Sequence, residues 1–583
     1  MKKFQCISVA AAAVAFVFAF NVLPVSAEAN ASYEQVVSVQ GAGTELKLDP
    51  TFILEPESFT DIRNAGGQTS RPAVVIVQPD AQMNVSLGGE TKTLGDTFDD
   101  ELKGIYIPAV RLDASTVDAF IDWMTDTYYV SDIMAVSDDI EVIEKLYADE
   151  VCYIVNTVYD LTPVEIGADR YALWPYIGEA NAAGCNILLL DASDENIGVA
   201  AEYVAAMSKV CWASASSVEE AVSAIAAGCY GVVSASAEDV AEAAALFTED
   251  GFARAQFVSA HRGITAYANE NSLTAIAAAA NEGATHVEVD VQVTADGQFI
   301  LCHDSDASPA STAPAGTWCA ANPSRTLFNY KLDDYSELYD ETFPTLEEVI
   351  EVILQTDLIM MLELKLDNGS STAVDSLKAI ENLEKVMAQY PEMEGHWFAI
   401  TFFAPYARQM REFMPEIPVG FIGYANADNG ERWSSQPSQT EIASKIEFLR
   451  QNNVLLDETM SSTPESVKQA YLARGYVQNS WTYSDTSHLL RGLNIATTDA
   501  AEEVSMLVKE VCPAGTLSLT EAQLSAGVAE VPCLTYCGWQ VERECEIIEV
   551  SRSGNDVLVL LYYQEGGTNP YGIYSNLISV TVE

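Results

Sequence analysis

Val287-Glu288-Val289-Asp290-Val291 places two carboxylates at alternate positions of an apolar run. Successive side chains of a β-strand point to opposite faces, so Glu288 and Asp290 share one face and the three valines the other. Leu362-Glu363-Leu364-Lys365-Leu366 repeats the device with an acid and a base. One such strand fits a half-solvated antiparallel sheet. Two of them, where near-continuous apolar runs alternate with alanine-rich helical stretches, predict parallel strands with charges gathered at one end of a barrel.

Outward from these strands the alternation continues in both directions. Phe257–Ala260, His286–Val293, Leu358–Lys365, Trp397–Phe403, Val419–Tyr424, Val454–Leu456, Val477–Trp481 and Ile495–Thr498 count to eight, which predicts a (β/α)8 barrel. Upstream, Val74–Val77, Ile105–Val110, Ile133–Val136, Cys152–Val155, Asn186–Leu190, Val210–Ala213 and Tyr230–Val233 give about seven. The two sets look related. Asn186-Ile187-Leu188-Leu189-Leu190-Asp191 resembles Asn453-Val454-Leu455-Leu456-Asp457, and Val210-Cys211-Trp212-Ala213 resembles Asn479-Ser480-Trp481-Thr482. Gly228 through Val240 can be laid on Gly492 through Val504, with Asp499 falling on Ala235. An old duplication is the expectation. Past Leu507, Glu546–Val550 and Val557–Tyr563 read as a hairpin and Leu577–Val582 as a closing strand, a small β-sandwich-like module. The expected domains are therefore a leader at 1–27, a degenerate non-catalytic TIM-barrel-like domain at 28–250, a catalytic TIM barrel at 251–506 and the β module at 507–583.

Composition narrows the function. The chain has 583 residues, 49% of them apolar, which is enough for real cores and excludes a disordered chain. Lys plus Arg is 29 against 85 for Asp plus Glu, a formal net charge of −56. Such a chain repels nucleic acid and anionic lipid, so any anionic substrate must be captured by a local cation or metal. Met1-Lys2-Lys3, the apolar run Ile7–Phe20 and Val25-Ser26-Ala27 read as an export signal cleaved before Glu28. The run is short for a membrane anchor, and Pro24 interrupts its end. No later stretch is long and apolar enough to span a bilayer, and the expected location is secreted or in the cell envelope. Cys152, Cys185, Cys211, Cys229 and Cys302 read as small buried hydrophobes, whereas Cys512, Cys533, Cys537 and Cys545 could pair in an exported protein. No pair of Cys-x-x-Cys motifs exists, which argues against a zinc site.

Glu288, Asp290 and Glu363 converging on a barrel mouth suit a hard divalent cation, Ca2+ or Mg2+. The chain has five histidines, none before His261. His261 opens His-Arg-Gly directly after a strand, and His303 ends Phe299–Cys302 and precedes Asp304. Two imidazoles beside a metal can supply a general acid and a general base near neutral pH. Arg262 and Lys365 can hold anionic oxygens. His286, His396 and His488 lack such company and read as structural or surface residues.

His261-Arg262-Gly263, Glu270-Asn271-Ser272, Gly283-Ala284, Glu288-Val289-Asp290-Val291, Thr294, Asp296-Gly297 and His303-Asp304 resemble the signature of the glycerophosphodiester phosphodiesterases. Phe343-Pro344-Thr345-Leu346-Glu347-Glu348, Leu362-Glu363-Leu364-Lys365, Trp481-Thr482 and Thr498-Asp499 resemble its later blocks, over about Phe257 to Val504. The resemblance implies a barrel that hydrolyses glycerophosphodiesters to an alcohol and glycerol 3-phosphate. It implies a divalent cation on Glu288, Asp290 and Glu363, and an acid–base pair of His261 and His303. It implies phosphate contacts from Arg262 and Lys365, and a pocket shaped by Glu270, Asn271 and Trp481. Asn269 stands where the family has proline, and 305–339 lacks the family's usual Arg-Thr-Thr-like stretch, so the pocket wall differs.

Other functions keep a place beside this one. The same site with a wider groove would hydrolyse glycerophosphate wall polymers such as teichoic acid, with cell-wall contact. A phosphoinositide-cleaving lyase on a similar barrel would leave a cyclic phosphate. A non-catalytic envelope-binding protein is the reading from a different class, and the complete acid, base and metal set argues against it. The upstream barrel lacks histidine, and its strand Gly104–Leu112 has no Glu-x-Asp. It is expected to be a degenerate copy.

Overall fold

Apolar strand runs joined by amphipathic, alanine-rich helices bury both faces of a parallel sheet, and closing the sheet on itself removes its edges. A computed structural model describes residues 37–66, 71–127, 132–149, 155–366, 374–422, 438–459, 465–566 and 571–582. The expected leader, Cys152 and positions 423–424 of the expected fifth strand lie outside these residues.

The first barrel is closed and has eight parallel strands in chain order: Thr51–Leu54, Val74–Val77, Ile107–Arg111, Ile133–Ser137, Val155–Asp160, Ile187–Asp191, Val210–Ser214 and Gly231–Ser234. The expected count of seven omitted Thr51–Leu54. That strand is four residues long and bracketed by Pro50 and Pro56, which read as loop punctuation. It pairs with both the last strand and Val74–Val77 and so closes the barrel. The strand expected as second is therefore third, and the one expected at Cys152–Val155 runs Val155–Asp160. Helices return outside; Val218–Ala226 is typical, with the Ser217 side chain accepting from Glu220 N at its first turn.

The second barrel closes in the same way. Its strands are Phe257–His261, His286–Val293, Ile359–Leu364, Trp397–Thr401, Val419–Phe421, Leu455–Thr459, Gln478–Tyr483 and Ile495–Thr498, with the first pairing both the second and the last. A short strand, Phe299–Leu301, pairs antiparallel with the second. The segments matched as repeats occupy the sixth, seventh and eighth strands of both barrels, so the internal similarity and the topology share one register.

The barrels meet through the N-terminal ends of the second barrel's strands. His286 Nε2 lies 2.9 Å from Ala206 O. Asn453, Asn479 and Asn494, all buried, donate to Asn181 O, Ser208 Oγ and Ala205 O at 2.7, 2.8 and 2.9 Å. Asn181 O and Ala205 O also accept from Gly184 N and Ser208 N, so the amides give these helix-end carbonyls a second partner across the contact. Gly475 has φ +90°, and a Cβ there would stand 2.7 Å from Ile187 Cγ1, so the close approach requires glycine. The core of the first barrel continues into the second through Met361, Phe398 and Ile495. His286 and His488 are fully buried against protein partners, and His396 stacks on Tyr171 with ring centroids 4.1 Å apart, in keeping with structural roles.

The C-terminal strands form one hydrogen-bonded sheet of seven. The expected hairpin is longer than its apolar runs, Gln540–Ser553 with Asp556–Glu565, because backbone pairing carries its polar ends along. The sheet docks on the inter-barrel segment: Phe252 N donates to Gly572 O and Tyr574 N to Phe252 O, both at 2.9 Å. Cys512, Cys533, Cys537 and Cys545 are free thiols, so the pairing considered for an exported chain is not formed. Among the described residues no helix is long and apolar enough to cross a membrane.

Candidate active site

Parallel register brings the charged side chains to one end of the second barrel. His261 is level with Glu288, and Asp290 with Glu363, across adjacent strands. The antiparallel strand Phe299–Leu301 turns the chain back, and Cys302 N donates to Asp290 O at 3.0 Å, which sets His303 beside the acids. Arg262 and Asn271 both take left-handed backbone conformations, φ 60° and 55°. Between them Asn271 N donates to Arg262 O at 2.9 Å, while Arg262 N donates to Glu288 O at 3.1 Å. A Cβ on Gly263 would lie 2.6 Å from Ala275 C, so the glycine of His-Arg-Gly lets this loop close on the following helix. Ser272 caps that helix by accepting from Ala275 N.

The loops and strand ends enclose a pocket of about 210 Å3. One side is polar: His261, Arg262, Glu288, Asp290, His303, Glu363 and Lys365. The other is formed by Ile400, Phe402, Ile422 and Trp481, with Asp457, Thr482 and Thr497 beside them. The expected catalytic, phosphate-binding and cation-binding residues thus share one cavity. Glu270 and Asn271, expected to shape the pocket, stand behind it. Glu270 Oε2 accepts from Arg262 Nη1 at 2.7 Å, and Asn271 Nδ2 donates to Asp290 Oδ2 at 2.9 Å. Asn269, in place of the family's proline, holds the segment after His303: its Nδ2 donates to Glu341 Oε2 at 3.2 Å and its Oδ1 accepts from Tyr335 N at 2.8 Å.

Glu288, Asp290 and Glu363 are buried and can each present a carboxylate oxygen within 4.8 Å of the others. Lys365 Nζ bridges Asp290 and Glu363 at 2.9 and 2.8 Å, and Arg262 Nε reaches Asp290 at 3.2 Å. Burial alone would raise Asp290, but Lys365 and Arg262 outweigh it and hold its carboxyl below the usual range. Glu288 lacks such cationic neighbours at bonding distance. Burial, then the charges of Asp290 and Glu363, push it well up. Burial pushes Glu363 up as well. The three buried carboxyls form an all-oxygen donor set, and a hard divalent ion, by favouring their charged forms, suits a set of this kind.

Each histidine has a carboxylate behind it. His261 Nδ1 lies 2.7 Å from Asp499 Oδ1, and His303 Nδ1 lies 3.0 Å from Asp304 Oδ1. His261 Nε2 lies 3.9 Å from Glu288 Oε2. Burial lowers the His303 pKa against the opposing pull of Asp290, which favours its neutral, proton-accepting form.

Two residues at the site carry weaker sequence signals. Asp499 was matched as part of a block but given no role. Asp457 was noted only in the repeat comparison; a lone carboxylate ending the apolar run Val454–Leu456 was the available signal. It is 1% exposed, and burial, with Glu363 and Glu458 adding, pushes its carboxyl up to about 8.

Residues 261–506 match the model of the glycerophosphoryl diester phosphodiesterase family. The second barrel is a domain of that family. Human glycerophosphodiester phosphodiesterase 1 is 31% identical to this phosphodiesterase-family barrel over 161 residues, 26% of this chain and 44% of the relative. A glycerophosphodiester phosphodiesterase of Caldanaerobacter subterraneus is 28% identical over 171 residues, 28% of this chain and 65% of the relative. The chain spans about half the length of the mammalian curated relatives it matches, 44% and 47% for the human and bovine proteins. A solved Oleispira antarctica phosphodiesterase in complex with the product sn-glycerol-3-phosphate is 25% identical, with a TM-score of 0.36, covering 43% of this chain and 95% of that one.

Among the described residues the first barrel offers no comparable site. Its mouth is bridged by Arg111, whose Nε donates to Glu55 Oε1 at 3.0 Å and whose Nη1 donates to Asp160. Among the described residues the one acidic cluster able to hold a metal is Glu288, Asp290 and Glu363.

Proposed function

We propose that this protein is an exported, cation-dependent phosphodiesterase that hydrolyses glycerophosphodiesters to an alcohol and glycerol 3-phosphate. The supporting observation is the convergence of two histidines, two cationic side chains and three buried carboxylates on one cavity. Export rests on the basic, apolar and small-residue pattern of the first 27 residues. The first barrel, with its mouth closed by an ion cluster and no histidine, is a non-catalytic copy.

Glu288, Asp290 and Glu363 would hold calcium or magnesium, which when bound supplies positive charge to the phosphate oxygens. Arg262 and Lys365 orient the non-bridging oxygens and offset charge that grows on them. His303 takes the proton of the attacking hydroxyl group, water's or the substrate's own, as the new O–P bond forms. His261 gives a proton from Nε2 to the leaving ester oxygen as the old P–O bond breaks. Asp499 keeps the proton on His261 Nδ1 and balances the charge of its doubly protonated ring.

The test is glycerol 3-phosphate release from glycerophosphocholine by the full chain. His261→Ala and His303→Ala should each lower kcat by roughly 10²-fold or more. Wild-type rates in both variants would remove the acid–base assignment. A cyclic phosphate as sole final product would replace hydrolysis by a lyase reaction.

A further inference from the structure

Among the described residues, two buried polar atoms of the pocket meet no partner, Oδ1 of Asp457 and Nε1 of the Trp481 indole. They sit on the adjacent sixth and seventh strands. Thr459 is in register with Trp481, and Asp457 with Asn479, so Asp457 lies one inward layer deeper. Buried polar groups are almost always hydrogen-bonded, and an unmet acceptor and an unmet donor lining one pocket on neighbouring strands mark a place for a group that is both. A hydroxyl is such a group. It satisfies the Asp457 carboxyl in either protonation state.

The surroundings fit a small polyol. Ile400, Ile422 and the Trp481 ring offer apolar contact for its carbon faces. Gly420 leaves the interior open beside Asp457: a Cβ there would stand 3.0 Å from Ile400 Cγ2 and 3.7 Å from Asp457 Cβ. At the mouth Phe402 is 41% exposed, so a larger alcohol group fits toward solvent while the compact end of a substrate reaches Asp457.

We propose that Asp457 and the Trp481 indole nitrogen form the subsite that holds a free hydroxyl of the substrate's glycerol, making Asp457 a specificity-determining residue. The hydroxyl donates to the Asp457 carboxyl oxygen and accepts from the indole N–H. This inference rests on the phosphodiesterase reading.

The test compares glycerophosphocholine with propyl phosphocholine, which keeps the phosphate and choline and lacks the glycerol hydroxyls. The readout is the ratio of the two kcat/KM values. Asp457→Leu keeps the branched side-chain shape and removes a buried carboxyl whose Oδ1 meets no partner among the described residues, so no buried partner is left unpaired. It should collapse the wild-type preference for the glycerol ester by about 10-fold, the worth of one hydrogen bond in a buried site. Trp481→Phe, which keeps a ring and loses the N–H, should move the ratio in the same direction. A ratio within about threefold of wild type in both variants, less than one ordinary hydrogen bond can supply, overturns the subsite alone. Cleavage of neither ester by the wild-type chain overturns the phosphodiesterase reading and the subsite with it.

Discussion

His261 and Asp499 stand 238 positions apart in the chain, yet Nδ1 of the imidazole lies 2.7 Å from Oδ1 of the carboxylate. Closure of the barrel, which pairs its first and last strands, produces the contact. Asp499 is not among the residues lining the cavity, and in the proposed mechanism it acts through His261, by fixing its tautomer and ring orientation.

Asp499→Asn should therefore lower kcat by about 10- to 100-fold with little change in KM, a smaller loss than a fully buried orienting carboxylate gives. Its side chain is 50% exposed, which limits the effect. Steady-state kinetics on glycerophosphocholine read the split. An unchanged kcat would remove Asp499 from the machinery.

The contact between barrels includes one buried ion pair. Arg474 Nε donates to Asp132 Oδ1 at 2.7 Å, and the Arg474 side chain is 1% exposed. Asp132→Ala leaves that guanidinium buried without its counter-charge and should destabilise the chain by about 3–5 kcal/mol. Replacing both residues by apolar ones should cost less than the single change. Chemical or thermal unfolding reads the difference, and an unaltered midpoint in Asp132→Ala would mean that the pair contributes nothing.

Acid should weaken the fold through His488. Its ring is buried, with Nδ1 2.6 Å from Gln256 Oε1, and burial pulls its pKa from 6.5 to about 4 against the weaker pull of Asp485. The native ring stays neutral where the unfolded one takes up a proton. Its contribution is complete above the unfolded value of 6.5 and is lost as the pH falls from there toward about 4. The slope approaches about 1.4 kcal/mol per pH unit in that window. His488→Gln should flatten the acid limb of stability measured by denaturant titration; an identical slope would point to other groups.

The second barrel was legible because its strands carry their chemistry in the open. Glu288, Asp290 and Glu363 interrupt apolar runs at a spacing that alternation alone explains, and register then brings them together. The first strand of the first barrel was not, since Thr51–Leu54 is too short between prolines to stand out from a loop. The partnership of His261 with Asp499 depends on closure, which no local pattern encodes. Asn453, Asn479 and Asn494 read as ordinary residues at strand starts, and only the stacked barrels reveal that they meet backbone and hydroxyl groups of a second domain. Asp457 looked like the end of a strand until its environment showed it facing the cavity.

Phosphorus NMR of glycerophosphocholine incubated with the purified full chain, first with calcium or magnesium and then with excess EDTA, is the most direct test of a cation held by Glu288, Asp290 and Glu363. The glycerol 3-phosphate signal should grow with the cation, stop on chelation and resume when the cation is restored. Undiminished product formation in excess EDTA would contradict the cation-dependent site.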